Sequence, residues 1–228
     1  MKQVVLGFLF LCVFSINAQT TSEDDNKDDK YLEDQFYLGI TYNFLINKPT
    51  DVTQRNLSYG LHGGIIKDLP LNSDRTFALG VGLGYAVNSY YTSMLATDSN
   101  IGIIYAKDDG ILGVKRSKIE NHLVEMPIEL RWRNSSPEEF KFWRVYTGLK
   151  LGYIFSARSK LVTESDKTSF NNSDILRFQY GLMFNFGYNT FNIHIYYSLS
   201  NLFNDGVLLE SEEITMKPLR VGLIFYIL

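Results

Sequence analysis

Three observations predict an all-β fold, an eight-stranded antiparallel transmembrane β-barrel with short periplasmic turns and longer extracellular loops. They are apolar–polar alternation over membrane-length stretches, connections sorted into short and long classes, and no run of about 18 apolar residues that would make a spanning helix. The alternation is clearest over residues 174–200. There Leu176, Phe178, Tyr180, Leu182, Phe184, Phe186 and Tyr188 alternate with Arg177, Gln179, Gly181, Met183, Asn185 and Gly187, the period-2 signature of a strand with two unlike faces. Asn189-Thr190 interrupts the pattern, which resumes with Phe191, Ile193, Ile195, Tyr197 and Leu199. Tyr188 and Phe191 then face each other across a tight hairpin. The first arm is roughly 13 residues, about 43 Å long at about 3.3 Å per residue. Tilted by about 40° it still rises about 33 Å, enough to cross a bilayer's hydrocarbon layer. In a soluble sheet such a face needs a second layer; in a barrel wall, lipid covers it.

A chain of 228 residues fits one domain, and its net charge of −3 gives no reason to expect nucleic acid. Aromatic residues make up 14% of the chain, with 15 Tyr and 16 Phe, the types that lipid-facing strands and interfacial girdles use. Residues 1–18 read as a secretory signal: Lys2, an apolar run over 4–14, then Ile16-Asn17-Ala18 before Gln19. The apolar core is too short to span a membrane, and Leu11 before Cys12 does not fit a lipoprotein site. Cys12 is the only cysteine, so a cleaved chain has no thiol and cysteine chemistry is excluded. Residues 19–33, which include TTSEDDNKDDK over 20–30, read as an acidic, disordered periplasmic leader. Residues 34–228 form the barrel.

Taken in order, the first strand covers about 35–46, with Phe36, Leu38, Ile40, Tyr42, Phe44 and Ile46 outward and Tyr37, Gly39, Thr41 and Asn43 inward. The second covers about 57–66, with His62 inward, and 68–75 reads as a turn through Pro70 and Asn72-Ser73-Asp74. The third, about 76–89, sets Ala78, Gly80, Gly82, Gly84, Ala86 and Asn88 inside, a small-residue row suited to a narrow lumen. Its Gly-x-Gly-x-Gly run is no phosphate loop, because that needs a following helix. The connection 93–118 holds 101–105 and 111–114 on either side of Asp109-Gly110, a hairpin expected above the membrane. The fourth strand, about 121–133, points His122, Val124, Met126, Ile128, Leu130 and Trp132 outward. A turn at 134–139 leads to the fifth, about 142–158, with Ser156 and Arg158 inward. The last strand covers about 215–228. Connections after strands two, four and six are short, and the others are mostly longer and polar. That asymmetry is expected of an outer-membrane barrel and has no reason to arise in a sandwich.

The inward rows carry Glu125, Glu129, Arg131, Arg133, Arg144, Lys150, Arg158, Arg177 and Arg220. An eight-stranded interior is just wide enough for side chains to fill, so these charges are expected to pair as a structural network rather than line a conduit or an anion site. Cations outnumber the two acids, which requires water or further acids inside. Glu125 and Glu129 are four residues apart, roughly 13 Å along a strand, beyond the separation of about 5–9.5 Å of a glycosidase pair. His62 and His194 point inward from different strands, and no serine–histidine–acid spacing stands out for a lipid hydrolase. The expectation is a non-catalytic protein with no metal, cofactor, nucleic-acid or small-molecule substrate site. Trp132, Trp143, Tyr153, Tyr188 and Tyr197 read as girdle and wall.

YLEDQFYLG over 31–39, HLVEMPIELRWR over 122–133 and FWRVYTGLKLG over 142–152 resemble the PorT family, called SprT in gliding bacteria. The glutamate–x–proline strand followed by such a hairpin is shared by many Bacteroidota outer-membrane barrels. The resemblance implies an outer-membrane protein that assists type IX protein secretion, and gliding where present, through contacts with other secretion-machinery proteins and membrane lipid. It supplies no catalytic residue. The alternative is a general small barrel: an adhesin, membrane stabiliser or minor porin. The chain departs from many such barrels in ending Phe225-Tyr226-Ile227-Leu228 rather than on an aromatic residue.

Overall fold

The computed structural model describes residues 34–54, 56–110, 113–134, 143–188 and 191–227. The expected signal and leader, Cys12, most of the turn containing Pro137, and Asn189-Thr190 lie outside the described residues. The strands in order are β1 (Asp34–Ile46), β2 (Tyr59–Pro70), β3 (Phe77–Tyr91), β4 (Met94–Ser99), β5 (Gly102–Lys107), β6 (Arg116–Arg133), β7 (Trp143–Val162), β8 (Lys167–Asn171), β9 (Phe178–Tyr188), β10 (Phe191–Ser198), β11 (Leu208–Leu209), β12 (Glu212–Glu213) and β13 (Lys217–Ile227).

Eight of them close on themselves in the order β1-β2-β3-β6-β7-β9-β10-β13, with β13 returning to β1 and every pairing antiparallel. Closure leaves no edge, which is what lets a sheet sit in hydrocarbon with every ladder group paired. In β9 the residues strictly alternate between exposed and buried, starting with exposed Phe178. On the outer wall Leu38 is 59% and Leu83 64% exposed, a cost in water and none in lipid. From Phe178 to Tyr188 the outward row covers about 34 Å of strand, or about 26 Å of height at a tilt of about 40°. That matches the apolar band of about 25 Å on such barrels. Trp143 packs against Phe186 and Tyr188 at centroid distances of 5.3 and 5.0 Å, part of the lower girdle. Among the described residues no helix is long and apolar enough to cross a membrane.

The short connections are 71–76, 134–142 and 189–190, and the long ones 47–58, 92–115, 163–177 and 199–216. Tyr188 pairs with Phe191, the register expected of the tight hairpin. The long side also carries extra structure. β6 and β7 run 18 and 20 residues and rise beyond the apolar band, β4 pairs β5, and β8 extends the sheet from β7.

Several expectations are corrected. A β-bulge lets His122 pair with Ser156 and Leu123 with Ile154, so Phe155 is the extra residue and the parity of β7 flips above it. Ala157 and Ser159 therefore point inward, and Arg158 is exposed on the outer wall rather than inside. Ser156 shares the outward side with His122. The second strand does not end at 66: β2 continues to Pro70, and Asp68, expected in a turn, is a buried lumen residue. Pro70 is the last residue of β2, opposite Ala78. The loop hairpin turns at 100–101, not at Asp109-Gly110. Gly110, with φ of 82°, instead makes a tight turn whose N–H bonds the Asp108 carboxylate at 3.1 Å. Residues 174–177 precede β9 rather than extend it; Ile175 bridges Phe203 and is fully buried.

Candidate functional site

The inward rows bring ionisable groups together in a region layered along the barrel. In the periplasmic half Asp68 accepts from two guanidiniums, with Oδ1 facing Arg131 Nη1 and Oδ2 facing Arg133 Nη1. Arg131 also donates from Nε to Glu129 Oε2 at 2.7 Å and from Nη1 to Gln35 Oε1 at 3.1 Å. Its guanidinium lies 4.5 Å from the Tyr146 ring centroid and 5.0 Å from that of Tyr226. Arg133 Nε donates to the Arg75 carbonyl at 2.9 Å. The small inner row of β3 makes room for this layer: a Cβ on Gly80 would meet Arg131 Nε at 2.8 Å.

Mid-barrel, Glu125 is the hub. Its Oε1 receives Lys150 Nζ at 3.2 Å and the Tyr37 hydroxyl at 3.0 Å, with His62 Nδ1 at 3.3 Å. The His62 and His194 rings sit 4.9 Å apart, and His194 Nδ1 contacts Asn185 Oδ1 at 2.5 Å. Strand parity already pointed both histidines inward; only closure of the barrel brings β2 and β10 together across the lumen. Above them Arg220 lies over the Tyr196 ring at 4.5 Å and donates to the Tyr90 hydroxyl at 3.3 Å.

Over this polar stack lies an apolar cap. Leu45, Tyr90, Met94, Ile119, Leu123 and Ile154 pack with Ile175, Leu202, Phe203, Ile214 and Met216 from the long connections. Tyr105 anchors the cap by donating to Asn172 Oδ1 and Asp174 Oδ2, both at 3.1 Å, and burial raises its phenol pKa above the ordinary value.

Of the residues expected to form the lumen network, Glu125, Glu129, Arg131, Arg133, Lys150 and Arg220 are buried in these layers. Arg144 is half-buried at the lower rim, opposite Arg133. Arg177 is half-buried beside β7, donating to the Ile154 carbonyl at 3.4 Å, and among the described residues pairs with no lumen carboxylate. Asp68 supplies the further acid that the charge count required. Its signal was in the sequence: Ile66 and Asp68 continue the inward parity of His62 and Gly64, but the Pro70 and Asn-Ser-Asp turn chemistry masked it.

Asp68, Glu125 and Glu129 are each 1% exposed, enclosed with their partners in the lumen. Outside, His122 meets Tyr85 Oη through Nδ1 at 2.6 Å and has Glu120 Oε1 3.8 Å from Nε2. Among the described residues no group of three His, Cys, Asp or Glu side chains is placed to hold a metal ion.

The outer membrane protein beta-barrel domain family model matches residues 17–204. The chain belongs to that family. Solved structures similar to it include Ail, the attachment invasion locus protein of Yersinia pestis, at 13% identity and a TM-score of 0.31, covering 85% of this chain and 98% of that one. Ail in complex with the heparin analogue sucrose octasulfate is similar at 13% identity and a TM-score of 0.34, covering 85% and 100%. No curated protein matches the chain. The family and the closed eight-stranded wall make it an outer-membrane protein.

Proposed function

We propose that this is a closed, non-catalytic outer-membrane barrel that works through contacts on its wall and extracellular end, not by passing solutes through its lumen. The observation that carries the reading is the stack of buried ion pairs beneath an apolar cap. Four buried cations, Arg131, Arg133, Lys150 and Arg220, share the interior with Asp68, Glu125 and Glu129, and buried apolar side chains pack the cap above them. A conducting path would have to unpair charges in a low-dielectric interior and then cross that cap, each step costly. This favours the stabiliser or surface-contact roles of a small barrel over a porin role. A deletion strain tests it. Uptake of small hydrophilic solutes stays at the parental level while sensitivity to detergent rises; a fall in uptake would overturn the reading.

The second reading is an accessory role in type IX secretion, favoured by the resemblance of residues 122–133 and 142–152 to the PorT family. Those residues form the lower halves of β6 and β7, including the Glu125, Glu129, Arg131 and Arg133 network. In that role the same deletion abolishes secretion of type IX cargo; normal secretion would sink it.

A further inference from the structure

The upper outer wall of β6, β7 and β8 carries charges that the lumen network does not use. The register sets them in rows. Arg116 is opposite Val162, which is opposite Lys167; Lys118 is opposite Lys160; and Glu120 is opposite Arg158. Inward parity on this stretch belongs to Ser117, Ile119, Ala157 and Ser159, all buried, so the six charged residues all face outward. Two residues of strand separate successive rows, about 6.8 Å, and strands lie about 4.8 Å apart. Five cations and one carboxylate therefore share a patch about 14 Å long along the strands. Glu120 is partly neutralised within it by Lys118. Glu164 and Asp166 belong to the turn beyond the uppermost row. Lys167 foremost, then desolvation and the Lys118 and Arg116 charges, hold Lys160 below its ordinary pKa, with Glu120 opposing them.

Below an intervening row of His122 and Ser156, the wall turns apolar. Tyr85, Val124, Tyr153 and Phe178 form one continuous row across four strands, about 10 Å lower than Arg158 at a tilt of about 40°. In that row lies a notch of about 190 Å³ lined by Val124, Met126, Leu151, Tyr153 and Phe178. A cationic patch with an apolar notch one headgroup beneath it matches an amphiphile whose anionic groups sit above its chains. The patch is on the long-loop side of an outer-membrane barrel, so that amphiphile belongs to the outer leaflet. The patch is also wider than a single phosphodiester needs.

We propose that this face binds one phosphorylated, multi-acyl glycolipid of the outer leaflet, of the lipid A type, with phosphates on Arg116, Lys118, Arg158, Lys160 and Lys167 and an acyl chain in the notch. The full chain, refolded in a zwitterionic detergent, is titrated with bisphosphorylated lipid A, phosphatidylglycerol or phosphatidylcholine, and bound lipid is counted by native mass spectrometry. One lipid A is retained per barrel, phosphatidylglycerol binds more weakly, and phosphatidylcholine is not retained. The triple change Arg116→Gln, Arg158→Gln, Lys160→Gln weakens lipid A binding by about tenfold or more, with the heat-dependent mobility shift of the folded barrel intact. On the wild-type protein alone, raising salt from about 0.05 to 0.5 M weakens lipid A binding through screening, which keeps the test decisive if the variant misfolds. Phosphatidylglycerol or phosphatidylcholine binding as tightly as lipid A, unchanged binding by a folded variant, or salt-independent binding each overturn the proposal. None of these results bears on whether the lumen is closed.

Discussion

Asp68 offers the sharpest probe of how the lumen is held. Asp68→Asn keeps the side-chain shape and removes the charge that Arg131 and Arg133 share. Arg131 retains Glu129 at 2.7 Å, Gln35 at 3.1 Å and two aromatic faces. Arg133, whose side chain is 1% exposed, retains the Arg75 carbonyl at 2.9 Å. The loss therefore falls mainly on Arg133. Removing one partner of a buried ion pair leaves an uncompensated charge and costs about 3–5 kcal/mol. Adding Arg133→Met removes that charge and restores about 2 kcal/mol, since apolar replacement of a buried pair is often neutral or better. The assay is a urea titration of the refolded barrel in detergent micelles, read by the fluorescence of Trp132 and Trp143. A loss below about 1 kcal/mol, the worth of a solvated pair, would mean that water fills the lumen and would refute the packed-network account.

Three further changes test other parts of the fold. A Cβ on Gly39 would run into the His62 ring, with Cδ2 at 2.7 Å and Cε1 at 2.8 Å; Gly39→Ala should cost about 1–3 kcal/mol in the same titration, and His62→Ala should relieve it, whereas additive losses would contradict the contact. Leu182, 50% exposed at mid-height on β9, faces hydrocarbon, so Leu182→Arg should cost about 2–4 kcal/mol in lipid bilayers; an unchanged midpoint would deny the lipid-facing assignment. Burial keeps the Tyr105 phenol neutral beyond its ordinary range, so its contribution is complete below about pH 10, where the unfolded phenol is also neutral, and is lost as pH rises above that. Tyr105→Phe should flatten the decline in stability above about pH 10 relative to wild type; parallel curves would remove Tyr105 from the cap.

The outer wall was legible because lipid favours apolar side chains there, so period 2 runs long and clear, as from Phe178 to Tyr188. The same logic placed Glu125, Glu129, Arg131 and Arg133 inside. It failed where local signals conflicted or were absent. At Phe155 the bulge left two neighbouring residues on one side, and nothing in the run Ile154-Phe155-Ser156 announces a slip, so Arg158 was misplaced by one face. At Asp68 genuine turn residues just downstream outweighed the parity of the strand. The cap was invisible for a different reason. Ile175, Leu202, Phe203, Ile214 and Met216 are scattered through polar connections without a period, and only long-range packing over the lumen gathers them. The His62–His194 contact likewise depends on closure, which no local pattern encodes. The basic face of β6, β7 and β8 needed the register itself, since its members come from three separate stretches.

The central claim is that the lumen is closed, and single-channel recording of the refolded full chain in planar lipid bilayers tests it most directly. Insertion is confirmed by protease protection, and the account predicts no stepwise conductance in 1 M KCl. Regular, reproducible conductance steps from inserted wild-type protein would contradict it.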